Sequence, residues 1–214
     1  MPHMKRLLEI AMNAPVRCLD KHCGHVSGVI FDPVTRQLTH FVLAVDGLLH
    51  DEYLVPVDLI VNSPGDTVLL SCRSHDLADL QPFHETRFVQ VDPADYPHLP
   101  GVMAGASYEW PMAMTGEGYA LAVESESVPP HELALHRGAI VQAADGPLGH
   151  VAEFLLDAET KTITHLVLRC GHFWHRHNVV IPIAAVERVS DDIIYLKLRN
   201  KEVNELPAIS TNHT

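Results

Sequence analysis

No stretch of about 18 or more apolar residues occurs in this 214-residue chain, so no segment predicts a membrane-spanning helix. Basic residues are scarce: 15 Lys and Arg stand against 27 Asp and Glu, a formal net charge of -12. That deficit argues against a nucleic-acid surface, which needs clustered cations to displace counterions. It argues equally against an electrostatic anchor on anionic lipid. Cysteine is limited to Cys18, Cys23, Cys72 and Cys170, too few for a disulfide scaffold and without a CxxC pair. Spacing alone does not decide whether Cys18 and Cys23 pair across a hairpin. The opening "MPHMKRLLEIAMNAPV" has a basic pair but no uninterrupted apolar run, because Glu9 and Asn13 break it. A secretory leader is therefore not expected, and the predicted location is cytoplasmic. Gly-rich phosphate loops, a G-x-S-x-G elbow and an HExxH helix are all missing, and Gly101, Gly105, Gly116 and Gly118 are too scattered to cradle phosphate.

What the chain does contain is a repeat. "TRQLTHFVL" (residues 35–43) returns as "TKTITHLVL" (residues 160–168), 125 positions later. At that offset 13 identities fall within 37 aligned positions, among them Ala14/Ala139, Asp20/Asp145, Gly24/Gly149, Asp32/Asp157, Thr39/Thr164 and His40/His165. One inserted residue then moves the offset to 126, giving Pro56/Pro182, Asp66/Asp192 and Arg73/Arg199. Agreement of this density marks a true internal repeat.

Each copy reads as short strands separated by turn chemistry. "HVSGVIFD" and "QLTHFVLAV" are rich in β-branched and aromatic residues, and "DPVTR" between them reads as a turn in which Asp32 caps and Pro33 presets φ. Further strands are predicted at 53–61 and 67–73, and at 178–188 and 193–199. "SHDLADL" and "NKEVNEL" predict a short closing helix in each copy, with Ser74 and Asn200 as N-caps. Five or six short strands in roughly 75 residues is the pattern of a small β-barrel. The expectation is thus an all-β chain with domains at 1–83 and 131–214. Residues 84–130 between them carry six prolines, seven acids and one base. They read as an irregular Pro-rich connecting segment, anchored to the barrels by residues such as Tyr108 and Trp110 or, alternatively, a solvated tether.

"GHVSGVIFDPVTRQLTHFVL" and "GHVAEFLLDAETKTITHLVL" both resemble the central motif of PRC-barrel domains, and "LVPVDLI" and "VIPIAAV" look like that family's next strand. The resemblance covers about residues 8–82 and 132–208 and implies two PRC-type barrels in tandem. The family's named relatives are the cytoplasmic domain of the photosynthetic reaction-centre H subunit and the C-terminal domain of a ribosome-maturation factor. In both the barrel is an adaptor without a defining catalytic constellation. Neither the transmembrane helix of the one nor the separate N-terminal domain of the other is expected from this sequence, so neither partner is expected to carry over.

Histidine is abundant, at 16 residues. Cys170, His172, His175 and His177 form the densest cluster. Residues two apart share a strand face, so these side chains suit a zinc or copper site across a hairpin. Their spacing matches no recognised ligand motif, and a solvated hairpin tip is the plainer reading. The first copy has its own cluster, Cys18, His22, Cys23 and His25. Along 38–45 both strand faces are substantially apolar, so something must cover the outer one. One expectation is that the two barrels pack through His40, Val42, His165 and Val167 about a pseudo-twofold axis. The other is that each histidine bonds to its adjacent Thr or to backbone. Ser71, Ser74, His75 and Asp76 imitate a catalytic triad in sequence only, and read as a helix start. Glu124 and Glu126 need no catalytic role.

The expected function is that of a non-enzymatic structural or protein-interaction module, an adaptor or assembly subunit. It would have no catalytic residues, no resident cofactor, unidentified protein partners and a tendency to homo-oligomerise. One alternative is a metal-binding or redox- and pH-responsive protein using the Cys/His hairpins. A second is an RNA- or ribosome-associated factor, which the acidic charge weakens.

Overall fold

The computed structural model describes residues 7–47, 51–63, 67–91, 112–115, 118–170, 177–190, 192–206 and 208–209. For those between 86 and 124, and for 208–209, the description concerns backbone only. The chain is predominantly β. Contacts divide it into two units, residues 1–83 together with 128–214, and residues 84–127.

In the first copy the strands are β1 (Leu7–Ala11), β2 (Pro15–Arg17), β3 (His22–Phe31), β4 (Leu38–Val45), β5 (Glu52–Pro56), β6 (Ile60–Asn62) and β7 (Val68–Leu70). The middle unit holds β8 (His84–Val91), β9 (Met112–Thr115) and β10 (Gly118–Glu126). The second copy follows with β11 (Leu133–His136), β12 (Ile140–Ala143), β13 (Gly146–Asp157) and β14 (Ile163–Cys170). It continues with β15 (His177–Pro182), β16 (Val186–Ser190), β17 (Ile193–Leu196), helix α1 (Asn200–Asn204) and β18 (Ala208–Ile209).

Each copy folds into a mixed sheet. The order is β5-β4-β3-β2-β7-β6 in the first and β16-β17-β12-β13-β14-β15-β18 in the second. The parallel pairs β2–β7 and β12–β17 are repeat equivalents, and the remaining ladders are antiparallel. Bulges interrupt β3–β4 between Val26 and Gly28 and between Ile30 and Phe31, and β13–β14 at the equivalent residues. Gly24 and its repeat mate Gly149 are required by close approach, since a Cβ there would collide with the carbonyl oxygen of Ala44 or Arg169.

The copies are joined by a reciprocal exchange of strands. β1 precedes the first copy in sequence but pairs with β13 of the second, Ile10 opposite Phe154. β11 precedes the second copy but pairs with β3 of the first, Leu135 opposite Val29. The two registers are the same once the 125-residue offset is applied. Left-handed residues turn the chain from one sheet to the other, Asn13 at φ 73° and its equivalent Gly138 at φ 91°. Asn and Gly are the residues that accept this conformation at least cost. In β1, Leu8 and Ile10 are buried while Leu7 and Glu9 are exposed, the alternation of a half-covered strand. One buried cluster therefore runs through both copies, from Val16, Phe41 and Leu43 to Val141, Leu166 and Leu168.

The pseudo-twofold passes between the two β3–β4-type turns. Gln37 and Thr162, equivalent residues, form an antiparallel bridge. Leu38 N–H donates to the Lys161 carbonyl at 3.0 Å, and Ile163 N–H to the Arg36 carbonyl at 2.9 Å. The turns themselves are built by Asp32, whose Oδ1 accepts from the Val34 and Thr35 amides at 2.7 and 3.2 Å. Asp157 does the same for Glu159 and Thr160 at 3.0 and 3.2 Å, so the turn survives replacement of Pro33 by Ala158.

Three local expectations need correction. The runs 53–61 and 178–188 are not continuous strands: Pro56 and Pro182, which have no N–H to give a ladder, start the 3-10 turns Val57–Leu59 and Ile183–Ala185. The N-caps of the closing helices, a 3-10 helix over Ser74–Asp79 and α1, are Arg73 and Arg199 rather than Ser74 and Asn200. Ser74 and Asn200 sit one residue further in, and their amides donate to Asp20 and Asp145 at 2.9 and 2.8 Å. Residues 84–130, expected to be irregular, include the antiparallel sheet β8-β10-β9. None of the segment's six prolines falls within those strands, so no ladder donor is lost.

Candidate functional site: the repeat junction and the Cys/His hairpins

His40 lies on β4, opposite Ile30 on one side and Pro56 on the other. It is half-buried, and its Nδ1 is 3.0 Å from the Thr39 hydroxyl. That hydroxyl is 2.6 Å from Glu132 Oε2 and 3.2 Å from the Ile30 carbonyl oxygen. A threonine has one proton to give, and the short contact to a carboxylate is the stronger bond. Thr39 therefore donates to Glu132 and accepts from His40 Nδ1–H, which fixes the histidine tautomer. Burial pushes the His40 pKa below its ordinary value, and the charge of Glu132 partly opposes the shift.

The second copy does not reproduce this chain. Thr164 donates to the Leu155 carbonyl at 2.9 Å, and the position equivalent to Glu132 is Leu7. His165 lies opposite Leu155 and Pro182. His40 is thus held by its neighbouring threonine, the second of the two expectations for these histidines. No strand ladder among the described residues places His40 beside His165. Val42 is buried in a small cluster with Ile30, Leu54 and Phe83, so Phe83 helps cover the outer face of β4. Val167 is buried as well, at 3% exposure. Tyr108 and Trp110 lie outside the described residues.

The first-copy hairpin brings Cys18 and Cys23 together as a disulfide, Cα atoms 6.2 Å apart. Both residues are buried, and Cys18 N–H donates to the Lys21 carbonyl at 2.9 Å to close the turn. Beside the bridge, His22 Nε2 lies 2.8 Å from Asp46 Oδ2, and His25 Nδ1 lies 3.8 Å from Asp46 Oδ1. The second copy replaces both cysteines, with Ala143 and Leu148, so this feature belongs to one copy only.

At the other hairpin Cys170 and His177 are direct ladder partners. Cys170 is buried in the main cluster, and burial raises its thiol pKa, which disfavours the thiolate a metal ligand requires. His177 is exposed, while His172 and His175 lie outside the described residues. Among the described residues no group of three or more His, Cys, Asp or Glu side chains is arranged to hold a metal ion.

Three of the triad-like residues at and just before the closing 3-10 helix, Ser71, Ser74 and Asp76, are engaged locally. Ser71 donates to the Leu59 carbonyl, Ser74 Oγ to Asp20 at 2.7 Å, and the Asp76 carboxylate accepts from the Arg73 amide at 2.7 Å. Asp20 and Asp145 have lowered pKa values because they accept these bonds, from Ser74 and Asn200 respectively. Sequence reasoning missed Glu132, although its alignment with Leu7 was a visible break in the repeat. It also missed the pair His136–Asp192, in which His136 Nδ1 lies 2.8 Å from Asp192 Oδ2 and the His136 amide donates to Oδ1 at 2.8 Å. Asp192 occupies a left-handed turn position at φ 59°. Neither the protein-family models nor the curated proteins contain a match to this chain.

Proposed function

We propose that this chain is a tandem PRC-barrel protein whose two barrels, fused by strand exchange, act as a non-enzymatic platform for other proteins in the cytoplasm. The observation that carries the reading is the reciprocal placement of β1 and β11, which makes one two-fold scaffold out of two repeats. The repeated polar residues Asp20/Asp145, Asp32/Asp157 and Thr39/Thr164 are engaged in caps, turns and strand contacts. Surfaces are then what remains for function. Leu19, Val34 and Val61 are large apolar side chains left at 68%, 87% and 61% exposure and are available to a protein partner. Light scattering across a concentration series, together with quantitative pull-down by the intact protein, tests the proposal. A second bait replaces residues 84–130 by a Gly/Ser linker. Self-association or a stoichiometric protein partner is expected. A strictly monomeric protein with no partner enriched over a scrambled bait would overturn it.

One specific observation favours a second reading, a redox-responsive hairpin. The Cys18–Cys23 bridge closes a turn whose rim carries His22, His25 and Asp46. Disulfides in the cytoplasm are usually transient and regulatory. Under this reading the bridge opens at cytoplasmic glutathione poise and partner binding changes with it. Equal binding by oxidised and reduced protein would exclude the reading.

A further inference from the structure

One difference between the two repeats lies where β1 and β11 run beside the segments that follow β6 and form β16. In the first copy Glu9 N–H, on the outward edge of β1, donates to the Ser63 hydroxyl just after β6 at 3.1 Å. In the second copy the equivalent residues are Ala134 and Val189, and valine has no acceptor to offer. Here β11 and β16 flank a cavity of about 360 Å³. It is walled mainly by apolar side chains, including Leu133, Leu135, Phe154 and Val189. That volume lies within the range of roughly 300–1,000 Å³ typical of small-molecule sites.

Charge decides what such a cavity would hold. Arg36 and Arg188 line it together with a single carboxylate, Glu187, so its lining is net positive on a chain of net charge -12. Among the described residues neither guanidinium has a carboxylate partner; Arg188 stacks over the Tyr195 ring at 3.4 Å and Arg36 is free. Arg36 comes from the first copy's turn, held in the left-handed region at φ 61°, and so completes a cavity formed mostly by the second. At the first copy's equivalent positions stand Lys161 and Asn62, a weaker anion-recognising pair.

We propose that this cavity is a binding site for a small apolar carboxylate, its hydrocarbon against the Leu133, Leu135 and Phe154 wall and its carboxylate on Arg36 and Arg188. The site is independent of the platform reading above. Isothermal titration of the intact protein with decanoate, below its micelle concentration, is the test, with decanol as the uncharged control. Saturable binding of decanoate and weaker binding of decanol are expected. R36N keeps a residue that tolerates the left-handed turn, and with R188Q it should weaken decanoate binding by at least about tenfold, the scale of one charge-assisted hydrogen bond. V189W, at a partly exposed position, should block the cavity while leaving the thermal midpoint close to wild type. No saturable binding, decanol binding equal to decanoate, or wild-type affinity in R36N/R188Q would each overturn the proposal.

Discussion

Ile10→Ala tests the strand exchange most directly. Ile10 is fully buried on β1, a strand that belongs to the first repeat in sequence and to the second in space. The substitution removes three carbons, about 2.4 kcal/mol at about 0.8 kcal/mol per buried methylene, plus a cavity term that brings such changes to about 2–5 kcal/mol. A loss of about 3 kcal/mol is a large fraction of the stability of an ordinary domain. For a chain of this size it should lower the thermal midpoint by about 6–12 °C. The diagnostic readout is location. Hydrogen exchange followed by mass spectrometry should find β13 among the segments losing protection, because Ile10 stands opposite Phe154. Leu135→Ala is the mirror experiment, and β3 should respond, because Leu135 stands opposite Val29. If Ile10→Ala left β13 at wild-type protection while β2 and β3 lost theirs, β1 would pair within its own repeat and the exchange would be wrong.

Acid should weaken the fold in two windows. His40, with its pKa lowered by burial, adds a penalty as pH falls below its ordinary 6.5, since the unfolded chain then binds the extra proton. Asp20, Asp32 and Asp145, lowered by the hydrogen bonds they accept, contribute stability above about their ordinary 3.8 that is lost as pH falls through their folded values. Denaturant midpoints measured from pH 8 to pH 2 check both steps, and a flat profile below pH 4 would refute the second. NMR titration should find His40 protonating below 6.5 in the wild type and lower still in Glu132→Gln, which removes the opposing charge; an upward shift would refute the Glu132 assignment. Reducing Cys18–Cys23 opens a loop of sequence separation 5 and should cost about 2 kcal/mol on chain-entropy grounds, read as a drop in denaturant midpoint that Cys18→Ser reproduces.

Much of the architecture was legible because a repeat supplies its own alignment. The β content, the paired turns at Asp32 and Asp157, the close-approach glycines and the closing helices all occupy positions where the two copies agree. Agreement marked residues that backbone geometry demands: an Asx turn, a cap acceptor, a strand contact with no room for a Cβ. What sequence did not disclose was which copy each strand serves. β1 and β11 carry ordinary half-buried alternation, and such a pattern specifies a partner face without specifying whose face it is. Only the left-handed pivots at Asn13 and Gly138 hinted at a crossing, and a lone Asn or Gly reads as a turn wherever it stands. The prolines at 56 and 182 were visible too, yet the β-branched run around them outweighed the missing donor.

The same logic inverts for function. Positions where the copies agree are engaged in holding the fold, so a feature specific to this protein is better sought where they differ. Four such differences now have a structural meaning. Glu132 against Leu7 gives one copy alone a Glu–Thr–His hydrogen-bonded chain. Cys18 and Cys23 against Ala143 and Leu148 give the same copy a disulfide. Ser63 against Val189 supplies a hydrogen bond to β1 in the first copy that the second lacks beside its cavity. Arg188 against Asn62 gives that cavity its second cation. The repeated Thr-His pair, Thr39–His40 and Thr164–His165, thus divides by role. Thr164 donates to the Leu155 carbonyl of the preceding strand, whereas Thr39 gives its proton to Glu132, so only His40 is coupled to a carboxylate through its threonine. Substituting both histidines should therefore give unequal effects: His165→Ala changes a half-buried surface, while His40→Ala also strips a donor from the Thr39–Glu132 pair. Equal losses of stability in the two variants would mean that the carboxylate coupling contributes nothing.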